Sequence, residues 1–319
     1  MRALITGGSG FIGSHLAERL LAEGHQVVAL DDLSTGRFAN IEHLTGRADF
    51  EFILGSVLNA DLVDDAARRC DVMFHLAAAV GVQLIVDKPL ESIRTNILGS
   101  EIVIEKAHKY GCRLLVTSSS EIYGKNTSDR LHEDDDRILG SPLKSRWSYS
   151  EAKAIEEVLA YTYWRQKGLP AVIVRLFNTV GPRQTGAYGM VVPRFVSQAI
   201  RGEAITVYGD GAQTRCFCHV HDVVEALVRL IWLPEAEGKV VNIGGTEEVS
   251  VATLAQRVID LAASDSVLRY VPYEEAYEEG FEDMQRRVPD ISRAGKLIGF
   301  QPTQSLDDIV RAVIEEQRR

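Results

Sequence analysis

Short apolar runs and amphipathic stretches alternate along the first half of the chain. Arg2–Thr6 reads as a buried strand, and Phe50–Leu54, Asp71–Leu76, Arg113–Thr117 and Ala171–Leu176 read as strands of similar length. Between them, Asn59–Arg69, Pro89–Tyr110 and Tyr149–Lys167 carry apolar residues at helical spacing. Repeated strand–helix units predict a parallel, doubly wound sheet with right-handed crossovers. Ligands should then collect at the carboxyl ends of the strands. Beyond Asn178 the pattern loosens. Helices over Val191–Ile200, Val220–Leu233 and Ser250–Ala263 are interleaved with short strands near Ile205–Tyr208 and Val240–Ile243. The acidic run Glu133–Asp136 predicts a solvated loop.

The first strand runs straight into Gly7-Gly8-Ser9-Gly10-Phe11-Ile12-Gly13, and then into His15–Leu21, which has helical periodicity. A strand, a glycine-punctuated turn and a helix N-terminus form a phosphate cradle. Gly7 permits the tight turn, Gly10 lets backbone approach a pyrophosphate, and Gly13 lets helix and strand sit close. The free N–H groups and the helix dipole favour an anion. A bare packing turn would also need glycine. The second strand, Gln26–Leu30, argues for the ligand, because it ends in Asp31-Asp32. That is about 20 residues beyond the loop, where a carboxylate holds a ribose 2′-OH. Two carboxylates would repel a 2′-phosphate, so NAD is expected rather than NADP. The fold expected is α/β: a Rossmann-type doubly wound parallel sheet over residues 1–177. A smaller C-terminal α/β substrate domain is expected over 178–319, with some chain crossing back to the first domain.

Composition narrows the function. The 319 residues are 45% apolar and 25% charged, and the net charge of −10 argues against nucleic acid as a partner. A phosphorylated substrate would therefore need a local cluster of arginines. No apolar run reaches membrane-spanning length, and no membrane partner is expected. No secretory leader is expected either, since the chain opens on a strand. Cys70, Cys112, Cys216 and Cys218 are too few and scattered for a disulfide framework. Cys216 and Cys218 would share one face of a strand, but no second ligand pair accompanies them, so no metal is expected. The expected compartment is the cytoplasm.

Tyr149-Ser150-Glu151-Ala152-Lys153 places a phenol and an ammonium on one helix face. At its ordinary pKa of about 10 a phenol is a poor base at neutral pH, and a nearby ammonium favours the phenolate. Such a pair arises by accident on many helices. Here the strand Leu114–Thr117 also ends in Ser118-Ser119-Ser120-Glu121, which puts hydroxyls at the sheet edge where a nicotinamide should lie.

With the glycine loop in the form TGGxGFIG, these features resemble the extended short-chain dehydrogenase/reductases. That family comprises nucleotide-sugar epimerases, dehydratases and decarboxylases. His75-Leu76-Ala77-Ala78, Tyr123-Gly124, Arg175–Arg183, Tyr208–Gly211, Arg215 and Arg287-Val288-Pro289-Asp290 also match, nearly end to end. The resemblance implies NAD held by Gly7, Gly10, Phe11, Ile12 and Gly13, with Asp31 and Asp32 at the ribose. Ser56, Val57, Leu76, Ala77, Ala78 and Asn96 would complete that site with Tyr149 and Lys153. Where the family usually has an acidic residue after Gly55, this chain has Ser56, so that contact would be weaker or made by backbone. The resemblance makes Ser119, Tyr149 and Lys153 the hydride-transfer triad. It places Asn178, Arg183, Val192, Tyr208, Arg215 and Arg287 on a UDP-sugar. It also implies a homodimer in which Pro89–Tyr110 and Tyr149–Lys167 pair as a four-helix bundle.

The branch within the family turns on Ser120-Glu121. A 4,6-dehydratase needs an acid pair there, and serine cannot supply its proton. A 4-epimerase usually keeps small uncharged residues at both positions. Ser-Ser-Glu resembles the UDP-glucuronate decarboxylases, as do Arg146-Trp147-Ser148-Tyr149 and Arg215-Cys216-Phe217. The alternative for Arg146-Trp147 is a surface cation–π pair. The implied reaction oxidises C4 of UDP-glucuronate with NAD, loses CO2 from the resulting β-keto acid without a metal, and protonates C5, with Glu121 or Arg215 and an ordered water as candidates. The product would be UDP-xylose or a UDP-4-keto-pentose. An NAD-dependent 4-epimerase of UDP-glucuronate or UDP-glucose is the alternative. A catalytically silent NAD-binding sensor is disfavoured by the presence of both Tyr149 and Lys153.

Overall fold

The computed structural model describes residues 1–79, 89–144, 147–186, 190–276 and 284–319. β1 (Arg2–Thr6) leads into α1 (Phe11–Ala22), β2 (Gln26–Asp31) and β3 (Phe50–Leu54). α2 (Ala60–Ala67), β4 (Val72–His75), α3 (Pro89–Arg94), one π-helical turn (Thr95–Gly99) and α4 (Ser100–Tyr110) follow. Next come β5 (Arg113–Ser119), α5 (Ser148–Lys167), β6 (Ala171–Leu176) and β7 (Thr179–Val180). The chain continues through α6 (Val191–Ile200), β8 (Ile205–Tyr208), β9 (Thr214–Cys216), β10 (Cys218–His219) and α7 (Val220–Ile231). It closes with β11 (Val240–Ile243), β12 (Glu248–Ser250), α8 (Val251–Ala262), β13 (Leu268–Val271), β14 (Arg286–Arg287), α9 (Ser292–Ile298) and α10 (Leu306–Arg318).

Among the described residues, seven parallel strands pair in the order β11-β6-β5-β4-β1-β2-β3. β1 lies between β2 and β4, with Thr6 opposite Leu30 on one side and His75 on the other. From β1 the chain winds outward to β3 and then returns to β4 on the far side. The strand order therefore reverses at the carboxyl end of β1, where α/β sheets leave a crevice. Polar groups set the helix limits. Asn59 caps α2 by accepting from Leu62 N at 3.2 Å, and Ser250 caps α8 by accepting from Thr253 N at 3.1 Å. Gly111 and Gly168 end α4 and α5 in the left-handed conformation.

Two expectations need correction. Pro89–Tyr110 is not one regular helix, because the Thr95–Gly99 turn widens it. Gly99 backs onto Val57, where an added Cβ would lie 2.7 Å from Val57 Cγ2. The widened turn also aims Asn96 at the loop after β4. The acidic run is not wholly solvated. Glu133 is buried, and its Oε1 accepts from Asn242 N at 2.9 Å. That backbone group belongs to β11, the edge strand of the sheet, and the carboxylate answers a donor that water cannot reach. Asp134 remains exposed, paired with Arg293 at 2.7 Å.

β11 and α7 pack with β1, α1 and α9 in the main apolar core, through residues such as Leu16, Leu20, Leu227, Ile243 and Ile298. A second core gathers α6, α8 and α10 around β8, through Phe195, Val207, Leu254 and Val313. Asn242 knits distant segments together. Its Oδ1 accepts from the Tyr123 hydroxyl at 2.8 Å, and its Nδ2 donates to Leu131 O at 2.9 Å and Asp290 O at 3.2 Å. Asn242→Ala leaves several buried groups without partners and should cost about 2–4 kcal/mol. In urea unfolding the midpoint should fall with the slope unchanged; a midpoint equal to the parent's would contradict this.

Candidate functional site

A cavity of about 470 Å³ opens at the carboxyl ends of β1, β2 and β4. Gly7, Gly10, Phe11, Ile12 and Gly13 line one wall, Asp31 and Asp32 the next, and Val57, Leu76, Ala77 and Ala78 the third. The loop has no room for larger residues. Gly7 has φ +73°, and an added Cβ there would lie 2.8 Å from Ala77 N. On Gly13 a Cβ would lie 2.1 Å from Gly7 O. Asp31 also braces the loop, accepting from Ser9 N at 3.0 Å and Leu33 N at 2.8 Å. A backbone cradle at a helix N-terminus with two carboxylates on the next strand fits a dinucleotide with a free 2′-hydroxyl.

Ser56 and Asn96 bond to the backbone beside this wall. Ser56 Oγ accepts from Leu58 N at 3.3 Å in the turn before α2, and Gly55 and Val57 face the cavity instead. Asn96 stands behind Ala79, accepting from its N–H at 2.8 Å and donating to its carbonyl at 3.1 Å. It holds Ala79, which lines the cavity. A motif alone does not distinguish those two positions.

α5 brings the phenol and the ammonium to the sheet edge. Lys153 is 1% exposed, and its Nζ donates to Thr117 O at 2.8 Å and to Glu156 Oε2 at 2.6 Å. Thr117 itself lines the cavity. Tyr149 is 6% exposed, and Ser119 is the polar side chain beside its hydroxyl. Burial pushes the Tyr149 phenol above its ordinary pKa, and Lys153 only partly opposes that. Glu156 adds to the effect of burial by answering part of the Lys153 charge. Burial disfavours the Lys153 ammonium, and Glu156, Tyr149 and Glu157 together more than offset this, so its pKa rises.

His75 lies behind this pair. Its Nδ1 faces Thr6 Oγ1 at 2.7 Å and its Nε2 faces Ser100 Oγ at 3.0 Å. Ser100 donates its own proton to Asn96 O at 2.7 Å. The network therefore assigns the proton of a neutral His75 to Nε2. Burial pushes His75 down to about 3.

The end of β5 meets the second half of the chain. Ser119 Oγ accepts from Glu121 N at 3.2 Å. Arg287 donates to Ser120 Oγ at 3.1 Å and to Glu121 Oε1 at 2.7 Å. β14 runs parallel to β9 with Arg287 opposite Arg215, so two guanidinium-bearing residues are neighbours. Arg287, expected on the diphosphate, thus rests against the serine–glutamate pair. Asn178 Nδ2 donates to Cys216 O at 2.8 Å, next to Arg215. The Tyr208 ring lies 4.2 Å from the Arg194 guanidinium. Two other expected sugar contacts are placed elsewhere. Val192 is wholly buried in the second core. Arg183 lines the dinucleotide cavity and pairs with Glu18. Arg146 lies outside the described residues. Trp147 is wholly buried, with Lys125 Nζ 5.9 Å from its ring.

A dinucleotide cavity abutting a buried Tyr–Ser–Lys set defines an NAD-dependent enzyme of the short-chain dehydrogenase class. Residues 3–244 match the NAD dependent epimerase/dehydratase family, and the chain belongs to it. It is 41% identical to the UDP-N-acetyl-alpha-D-glucosaminuronate decarboxylase of Bacillus cytotoxicus, covering 98% of this chain and 97% of that one. It is 37% identical to UDP-glucuronic acid decarboxylase 1 of Danio rerio, covering 98% of this chain and 72% of that one. The UDP-glucuronic acid 4-epimerase of Bacillus cereus, solved with UDP-glucuronic acid and NAD, superposes with a TM-score of 0.90. That pair is 28% identical, over 100% of this chain and 99% of the other.

Gly13→Ala should weaken NAD binding at least tenfold, about 1.4 kcal/mol, as read by quenching of protein fluorescence; unchanged affinity would contradict the loop geometry. Burial also makes stability depend on pH. His75 and His15, pushed down to about 3 and about 4 by burial, bind protons less readily folded than unfolded, where the value is 6.5. Stability should therefore fall as pH drops from 6.5 towards 4.5. Glu156, raised to about 6 by burial, works in the opposite sense between 6 and 4.5. With two groups against one, the net slope should be a loss, and a flat urea midpoint across that window would contradict it.

Proposed function

We propose that the protein decarboxylates a UDP-hexuronic acid, UDP-glucuronate first, through a 4-keto intermediate. The observation that carries this reading is Glu121. It follows the hydroxyl-bearing end of β5 and is clamped by Arg287, with Ser119 and Tyr149 close by. When bound, NAD supplies the redox chemistry by taking up a hydride from C4. Tyr149 accepts the 4-hydroxyl proton, and Ser119 donates to the forming carbonyl oxygen. Lys153 has three N–H groups, of which Thr117 and Glu156 take two, leaving one for the ribose or the phenol. A keto group β to the carboxylate delocalises the electrons left by CO2, so cleavage needs no metal. Glu121, ionised against Arg287, disfavours the substrate carboxylate by charge, and C5 would take its proton from a water ordered by Glu121 and Arg215, leaving hydroxide to be neutralised by solvent. Residues 178–319 mainly supply the nucleotide-sugar contacts, through Asn178, Tyr208, Arg215 and Arg287.

A second substrate is favoured by a specific observation, since the relative at 41% identity is named for the 2-acetamido sugar. A homodimer is part of the reading. Leu90 of α3, Leu98 of the π-helical turn, and Ile155, Val158 and Tyr161 of α5 are exposed apolar residues on the expected pairing helices, with Val158 at 64%. Four free, buried cysteines support a reducing compartment such as the cytoplasm.

The NAD-loaded protein should be given UDP-glucuronate and UDP-N-acetylglucosaminuronate separately. Mass spectrometry should show loss of CO2 from at least one of them. Retention of the carboxylate with inversion at C4 would replace this reading by the epimerase. Glu121→Gln should still form NADH while CO2 release falls about 10²-fold. Release at the parent rate would remove Glu121 from its role.

A further inference from the structure

One turn along α5 from Lys153, Glu156 is completely buried, and its Oε2 accepts an N–H of the ammonium at 2.6 Å. Its other oxygen, Oε1, has no hydrogen-bond partner among the described residues, and His75 Nε2 lies 3.7 Å from it. An exposed pair at this spacing would be ordinary helix decoration. A buried pair costs desolvation on both charges, and apolar packing would serve the fold as well or better. This pair also adjoins the phenol that does the chemistry.

The other charges nearby have partners. Glu157, next along α5, holds Arg175 at 2.8 Å. Glu121, after β5, holds Arg287 at 2.7 Å. His75 of β4 is neutral, and Ser100 at the start of α4 carries no charge. Lys153 and Glu156 are the charges that act most strongly on Tyr149, with Glu121 adding a smaller push in the same direction as Glu156. We propose that Glu156 is a positioning residue for the oxidation step: it seats the Lys153 ammonium against the Thr117 carbonyl and offsets part of its field at the Tyr149 hydroxyl. It acts through Lys153 and touches neither coenzyme nor sugar. The directions of the shifts agree, since Lys153 lowers and Glu156 raises the Tyr149 phenol, with burial the larger cause. With the carboxylate in place, the phenol ionises less readily than a bare ammonium would allow. Oxidation of the sugar should then be held back at lower pH.

The inference rests on Tyr149 and Lys153 as the working pair, and is independent of which sugar is bound. Its test therefore needs no sugar. The NAD-loaded protein is titrated with base while tyrosinate ultraviolet absorbance is followed, and the same titration of Tyr149→Phe is subtracted. In Glu156→Gln the Tyr149 midpoint should move to lower pH by about one unit, the smaller end of what one neighbouring charge does. NAD binding should persist. Glu156→Asp, whose carboxylate is set back by one methylene, should fall between parent and Gln. A purely structural role predicts lost stability with the midpoint in place. A Gln midpoint at or above the parent's overturns the proposal. Should the Gln variant not fold, the Asp variant decides, and a midpoint at or above the parent's overturns it equally.

Discussion

A lysine ammonium out of reach of water has to be satisfied by the protein, and that constraint shapes this structure. Lys153 meets it with the carbonyl of Thr117 and the carboxylate of Glu156. The first bond ties α5 to the carboxyl edge of β5, so the helix cannot slide or rotate without stranding a charge. The same bond sets Tyr149, one turn earlier, beside Ser119 and next to the cavity that Thr117 lines. Redox chemistry requires this alignment of phenol, hydroxyl and coenzyme cavity.

The substrate end is placed by a different device. Arg287 and Arg215 come from short strands far along the chain, and their position depends on how the 287–290 segment is held. Asn242, at the edge of the main sheet, binds the carbonyls of Leu131 and Asp290 and accepts from Tyr123, which closes the turn containing Glu121. One buried amide thus links the glutamate and the arginine that meet it. The strand that carries the amide lies beyond residue 178 yet completes the sheet of the first half.

The parallel sheet and its cradle were legible because their causes are local. Apolar runs of strand length, glycines at a turn with no room for Cβ, and acidic residues ending β2 are each visible within a few positions. The Tyr–Lys pair was legible from helical spacing. What stayed hidden depends on depth. Glu156 and Glu133 look like any solvated glutamate until the fold buries them against Lys153 and β11. Asn96 and Val192 match family positions, and the depth at which the fold holds one against Ala79 and the other in the second core is not visible in a motif. Spacing says which face a residue occupies, and does not say what that face meets. The K-x-x-E spacing after Tyr149 was the available signal for Glu156, and i,i+3 pairs are too common on surfaces to have singled it out.

The most direct measurement is a crystal structure of the protein with NAD bound. The account predicts the nicotinamide beside Tyr149, with Lys153 keeping its bonds to Thr117 and Glu156 and directing its remaining N–H at the ribose or the phenol. A nicotinamide remote from Tyr149, or a Lys153 that leaves Glu156 when the coenzyme binds, would contradict it.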